Sequence, residues 1–232
     1  MPAKKNKVDS ASISTRERVL QTATNLFYKH GVHSVGVDRI IAESGVAKMT
    51  FYRHFSSKAR LISAYLAARE ETWQQLVVRF AGDTSQPALD RLLSLFDALE
   101  FAITNPGFYG CPFIKALAEF GPEHDEPEIR SQIRAHFDAT EKLVNKLLRQ
   151  IAPKDGKKLV QPFLSLMDGA LVVAHAGGGV DVARRNKELA RMLLSPGIVG
   201  LRGPKSFHKR GESFSPDSHV SAGGQLLQPS DV

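Results

Sequence analysis

Only one cysteine, Cys111, occurs in the 232 residues, so the chain cannot close an internal disulfide, and such sparing use fits a reducing compartment such as the cytoplasm. No unbroken apolar run reaches about eighteen residues, the length that a membrane-crossing helix needs. The opening stretch MPAKKNKVDSASIS is polar and basic with no apolar segment behind it, so no secretory leader is expected. Nowhere is the two-residue alternation of a half-buried strand sustained, which leaves little room for sheet.

Signatures of common enzyme chemistry are missing too. His175–Ala176–Gly177–Gly178–Gly179 has no G-x-S-x-G elbow to accompany it, so a lipase-type oxyanion loop is not supported. Gly156–Lys157 is followed by Lys158 rather than Ser or Thr, so no Walker phosphate loop exists. Glu123–His124–Asp125–Glu126 reads as an exposed acidic loop before a helix rather than a metal site. A hydrolase built on Cys111 with His136 or His175 is the best enzymatic rival. We expect no enzyme, no metal and no cofactor.

What the chain has in excess is positive charge, and its location is informative. Residues 1–60 carry eleven Lys and Arg against four acids, which accounts for the whole net charge of +7; the rest of the chain is balanced at twenty of each sign. Basic charge concentrated in one module is the electrostatic footprint of a polyanionic partner, and nucleic acid fits better than a membrane surface. With 42% hydrophobic residues, the remainder has enough apolar material for a second, larger core.

Helical periodicity and its punctuation organise the chain. Residues 1–13 read as a disordered basic arm. Ser14–Thr15–Arg16–Glu17 is a capping box, Val19, Leu20, Ala23, Leu26 and Phe27 share one helical face, and Gly31 closes the helix. A short helix is expected at about 37–44, with Ile40 and Ile41 inward. Gly45 breaks it, and another short helix is expected at about 47–55, with Phe51 and Phe55 one turn apart on its buried side. Ser56 and Ser57 offer caps for a long helix running toward Phe80. Further helical segments are marked by Leu89 to Phe101, Pro112 to Phe120, Ile129 to Leu148, Leu159 to Val173 and Val182 to Leu194. Gly, Pro, Ser and His dominate from Ser195 onward, and residues 197–232 read as a disordered tail.

Two short helices joined by a glycine-containing turn in a basic segment fit a helix-turn-helix. In this reading the small Ala42 lets the two helices approach, Gly45 supplies the positive φ of the turn, and Phe51 and Phe55 prop the second helix from below. Lys48, Tyr52 and Met49 then point outward. The stretch VDRIIAESGVAKMTFYRHFSSKARLISAYL resembles the DNA-binding signature of the TetR family of one-component regulators. The likeness runs from about Thr15 to Leu66 and rests on Gly45, Val46, Lys48, Thr50, Tyr52, His54 and Phe55, then the S-K-x-x-L opening of the next helix.

That resemblance implies an all-α chain: a three-helix helix-turn-helix DNA-binding domain over 14–60, then a helical ligand-binding and dimerisation domain over 61–196. It implies a cytoplasmic repressor that holds double-stranded operator DNA as a homodimer and releases it when a small-molecule effector binds. Lys48, Thr50, Tyr52, His54 and Lys58 resemble the family's DNA-contacting positions, Lys58 being the phosphate-binding lysine at a helix start. Packing of the Tyr52 ring on the first helix stands as the alternative for that residue, and a structural role stands beside DNA contact for His54. Two positions depart from the family pattern. Gly36 replaces the usual Ser or Thr before the second helix, and Ala47 replaces a Ser cap, a loss of about 1 kcal/mol on the usual capping scale. A DNA-coating protein without sequence preference is the alternative within nucleic-acid binding.

The resemblance also implies that the last two helices pair with their copies, with Phe163, Leu166, Ala170, Val173, Leu189 and Leu193 as candidates for that face against an intrachain role. Trp73, Phe96, Phe101, Phe108, Phe113 and Phe137 are candidates to line an apolar ligand pocket. Cys111, in Gly110–Cys111–Pro112–Phe113, begins a helix whose N-terminus lowers a thiol's pKa, so a sensor of redox state or electrophiles stands against a small packed thiol.

Overall fold

The expected capping box forms: the Ser14 hydroxyl accepts the Glu17 N–H at 3.2 Å and the Glu17 carboxylate accepts the Ser14 N–H at 2.9 Å. Two of the free amides at the start of α1 (Thr15–His30) are thereby satisfied. The structure, a computed structural model, describes residues 13–121 and 126–195. After α1 come α2 (Val37–Ser44), α3 (Lys48–His54), α4 (Lys58–Ala81), α5 (Ala88–Ile103), α6 (Pro112–Glu119), α7 (Pro127–Ile151), α8 (Gly156–His175) and α9 (Val182–Leu193), with no strand among the described residues. The tail over 197–232, residues 1–12 of the basic arm and the loop residues Glu123 to Asp125 lie outside the described residues.

Punctuation explains the boundaries. Gly31 ends α1 at φ +87°, ψ 156°, and Gly45 ends α2 in the left-handed conformation at φ +64°, ψ 31°. Gly31 thus has the positive φ of a helix-ending glycine but not the left-handed ψ, because the chain turns outward rather than continuing a coil. Pro112 and Pro127 open α6 and α7 at positions where a missing N–H costs nothing. The Ser57 hydroxyl caps α4 by accepting the Arg60 N–H at 3.2 Å. Gly36 and Ala47 precede α2 and α3 without any side-chain cap.

Burial divides into two clusters. The first joins the inner faces of α1, α2 and α3 (Val19, Phe27, Ile40, Phe51, Phe55) to Leu61, Ile62, Tyr65 and Leu66 of α4 and to Phe113, Phe120 and Ile133 from α6 and α7. The second joins the end of α4 to α5, α7, α8 and α9, around Phe96, Leu147 and Phe163. The three short N-terminal helices therefore share their core with the segments that follow them.

Two packing expectations are corrected. Ala42 is exposed, and the inward small residue at this end of α2 is Ser44, whose hydroxyl donates to the Ile41 carbonyl at 3.2 Å. Position 44 lies one turn beyond the buried Ile40 and shares its face, whereas position 42 falls on the opposite side of the helix. Phe163 and Ala170 are fully buried within the chain, so neither is free to face a partner. Val173 and Leu189 are exposed, at 43% and 48%, while Leu166 and Leu193 are half-buried.

Candidate nucleic-acid interface and an apolar cavity

Helix α3 is held by its buried side. Phe51 is fully buried and Phe55 nearly so, with ring centroids 6.2 Å apart, and the Arg16 guanidinium of α1 sits 5.1 Å above the Phe55 ring. Helical spacing then turns Lys48, Met49, Tyr52 and Arg53 to the surface, with Thr50 and His54 half-buried at the flanks. Met49 is 82% exposed, an unusual position for a large apolar side chain. Tyr52 is 42% exposed and leans edge-on against Phe51 at 5.2 Å. Lys48 reaches toward Asp38 of α2 at 3.6 Å, a solvent-exposed pair of small energetic weight. Lys58, at the start of α4, is partly buried; burial holds its ammonium below the usual lysine range, and the charge of Glu119 partly offsets this. The result is a short, rigidly propped helix presenting cationic, aromatic and apolar groups outward in the most basic part of the chain.

Between the two cores lies a cavity of about 500 Å³. Of the predicted pocket aromatics it brings together Trp73, Phe101, Phe108, Phe113 and Phe137. Phe96 is the exception and is corrected to core: it is 1% exposed and packs edge-on against Phe163 at 5.2 Å, because that face of α5 turns toward α8. The cavity wall also holds polar groups that periodicity alone did not single out: Tyr28, Arg69, His136 and Asp168. A signal existed for Asp168, a lone carboxylate inside the apolar run FLSLMDGALVV. The His136 ring stacks on Phe113 at 3.7 Å and 5°, and its Nδ1 lies 2.6 Å from a Glu70 carboxylate oxygen. Burial lowers the imidazole pKa, with Glu70 pulling the other way; burial raises that of Asp168.

Cys111 lies on the same wall at the start of α6, but it is only 9% exposed. Burial pushes its thiol up to about 11, and the nearby amides of Ile114 and Phe113 offset only part of this. The structure therefore opposes the sensor expectation, since a thiol of this kind holds almost no thiolate near neutrality.

Helix α6 touches both regions. At its first turn, Gly110, Cys111, Pro112 and Phe113 line the cavity, and the Tyr28 hydroxyl of α1 donates to the Gly110 carbonyl at 2.9 Å. From its middle, Lys115 donates to the Tyr28 carbonyl at 2.6 Å, and at its last residue the Glu119 carboxylate accepts the backbone N–H groups of Val32 and His33 at 3.1 and 2.7 Å. Gly31 makes room for that contact: a Cβ there would meet a Glu119 oxygen at 3.0 Å.

Comparison with known proteins agrees with this geometry. Residues 19–65 match the bacterial regulatory proteins of the tetR family. The crystal structure of a TetR-family transcriptional regulator from Streptomyces coelicolor is similar at a TM-score of 0.72 and 33% identity, over 78% of this chain and 94% of that one. A TetR transcriptional regulator from Chloroflexus aurantiacus shares the fold at a TM-score of 0.68 and 21% identity, over 78% and 93% of the two chains. Among curated sequences, the nucleoid occlusion factor SlmA of Shewanella woodyi is 29% identical over 149 residues, which is 64% of this chain and 73% of that protein. No helix among the described residues is long and apolar enough to cross a membrane.

Proposed function

Because the chain belongs to the TetR family of DNA-binding transcriptional regulators, we propose that it is a repressor whose operator grip is released by a small molecule in the cavity between its cores. Residues 14–60 form the DNA-binding domain in this reading, and 61–196 the ligand-binding and dimerisation domain. Tyr52, Thr50, Lys48 and His54 meet base edges and phosphates in the major groove. Lys58 and the N-terminus of α4 meet a phosphate.

The observation that carries the effector half of this reading is the double attachment of α6. One end of the helix lines the cavity, and the other holds the α1–α2 corner through Lys115 and Glu119. A ligand that displaces the first turn of α6 moves the second attachment with it. The equilibrium shifts only by the ligand's preference for one position over the other. Half-sites on DNA tolerate little change in the spacing of two recognition helices, so a small tilt suffices.

A two-fold homodimer supplies the second recognition helix. Its face is formed by α8 and α9, which carry the exposed Val173, Leu189 and Met192 and the half-buried Gly169. A Cβ at Gly169 would meet nothing within 4 Å in its own chain, and a mid-helix glycine costs roughly 0.5–1 kcal/mol relative to alanine. The residue is explained if a partner helix approaches closely there.

The test is retention of genomic duplex fragments by the purified protein, followed by competition with scrambled duplex of equal length. The expected outcome is a small set of sites held at least about a thousandfold more tightly than scrambled DNA. The excess positive charge of residues 1–60 would also serve a second reading, in which the same surface covers DNA with little sequence preference. Equal competition by scrambled duplex would select it.

A further inference from the structure

The cavity wall carries enough chemistry to say what class of molecule fills it, an inference that rests on the effector reading above. Among the described residues, two partly buried lysines are held by oxygen. Lys187 is gripped by both oxygens of Asp97 at 2.7 Å, and Lys115 by the Tyr28 carbonyl at 2.6 Å. Arg69 of α4 differs. Its guanidinium lies 4.1 Å above the Tyr28 ring, no carboxylate of the described residues pairs with it, and its Nε is buried without an acceptor. A guanidinium cannot shed its proton in a protein, so this cation persists at every accessible pH. Asp168 of α8, on the same wall, makes neither a hydrogen bond nor an ion pair among the described residues. Arg69 and Asp168 both line this one cavity. The stacked Phe113 and His136 rings, with Trp73 and Phe137, supply flat apolar surface.

We propose that the cavity binds a planar aromatic carboxylate bearing a hydroxyl group, its carboxylate on Arg69 and its hydroxyl donating to Asp168. The guanidinium fork matches a carboxylate through two parallel N–H donors. An amine would suit Asp168 but would set a second cation beside Arg69. Glu141 on the same wall is exposed to solvent, and Asp168 can take up a proton where Arg69 cannot lose one, so the arginine decides the sign of the ligand. A cavity of about 500 Å³ admits one or two fused rings with a short side arm.

The experiment titrates the full chain by calorimetry with 4-hydroxybenzoate, 4-hydroxycinnamate and 6-hydroxy-2-naphthoate. Methyl 4-hydroxycinnamate (charge removed), tyramine (charge reversed) and cinnamate (hydroxyl removed) serve as matched probes. Trp73, the one tryptophan of the chain, lines the cavity and reports occupancy through its emission. At least one acid is expected to bind at least about tenfold more tightly than the ester or tyramine, the ratio expected of a charge-assisted contact. Arg69→Gln should abolish that preference while leaving ester affinity within about threefold, and Asp168→Asn should abolish the preference for 4-hydroxycinnamate over cinnamate. Arg69→Lys keeps the charge without the fork and should retain part of the preference; it replaces Arg69→Gln if that variant fails to fold. Ester or tyramine binding as tight as the acids would overturn the proposed class while leaving the cavity an effector site. Silence from every probe would overturn it as well, and release of bound DNA by some other small molecule would still uphold the effector reading.

Discussion

The Glu119 carboxylate accepts the backbone N–H of His33 at 2.7 Å, tying the end of α6 to the corner between α1 and α2 across 86 positions of sequence. Its second oxygen takes the Val32 N–H at 3.1 Å. These are charge-assisted bonds to amides that α1 leaves free beyond its own last turn, so the truncation Glu119→Ala leaves two donors unmet. Unfolding in urea should show a loss of about 1–3 kcal/mol, and operator affinity should fall because the α1–α2 corner is no longer held. Unchanged stability and affinity would remove Glu119 from the coupling between cavity and recognition helix.

Gly169 lies on the outer side of α8 with open space above its Cα. Glu at this position would force a charge into the face where a second copy is expected to pack. Gly169→Glu should therefore run as a monomer in light scattering, with helicity kept, and should lose at least about a hundredfold in operator affinity as the second half-site contact disappears. A variant that stays dimeric would move the interface elsewhere.

Cys111 should be inert in the native protein. Its thiol is buried and pushed up to about 11, so modification by iodoacetamide near pH 8 should be at least about a hundredfold slower in the folded chain than in urea. Cys111→Ser should respond to oxidants and electrophiles as the wild type does. Rapid native modification would reverse this assignment.

Stability should depend on pH through His136. Burial lowers the pKa of its imidazole from the ordinary 6.5, and Glu70 restores only part. The unfolded chain takes up a proton there at a pH where the folded chain still refuses one. The contribution is whole above about pH 6.5 and is lost as the pH falls toward the folded-state value. His136→Phe keeps an aromatic ring against Phe113 and removes the titration, so its urea midpoint should fall less steeply than the wild type's between about pH 7.5 and 5.5. Parallel slopes would contradict the assignment.

The helices were legible because periodicity and punctuation agreed: Leu26 and Phe27 mark the buried face of α1, Gly31 its end, and Ser14 and Glu17 its start. The recognition helix was equally plain, since Phe51 and Phe55 fix its buried side and leave Tyr52 outward. The cavity was less so. Phe96 and Phe101 sit on the same helix, and only the packing of Phe163 against Phe96 decides which of them is core. Arg69 and Glu119 look like ordinary surface charges until the fold brings Tyr28 beneath one and the His33 amide beside the other. Local sequence carries no record of such long-range partners. Ala42 and Ser44 show the same limit at close range, where a two-residue difference in helical phase decides which small side chain faces inward.

The most direct test of the account is the affinity of Tyr52→Ala for the best-retained duplex, measured beside its helicity and dimer mass. Tyr52 is exposed on a helix whose fold depends on Phe51 and Phe55 instead, so the variant should keep its structure and lose at least about tenfold in affinity. Wild-type affinity in a folded, dimeric Tyr52→Ala protein would contradict the placement of this helix in the DNA groove.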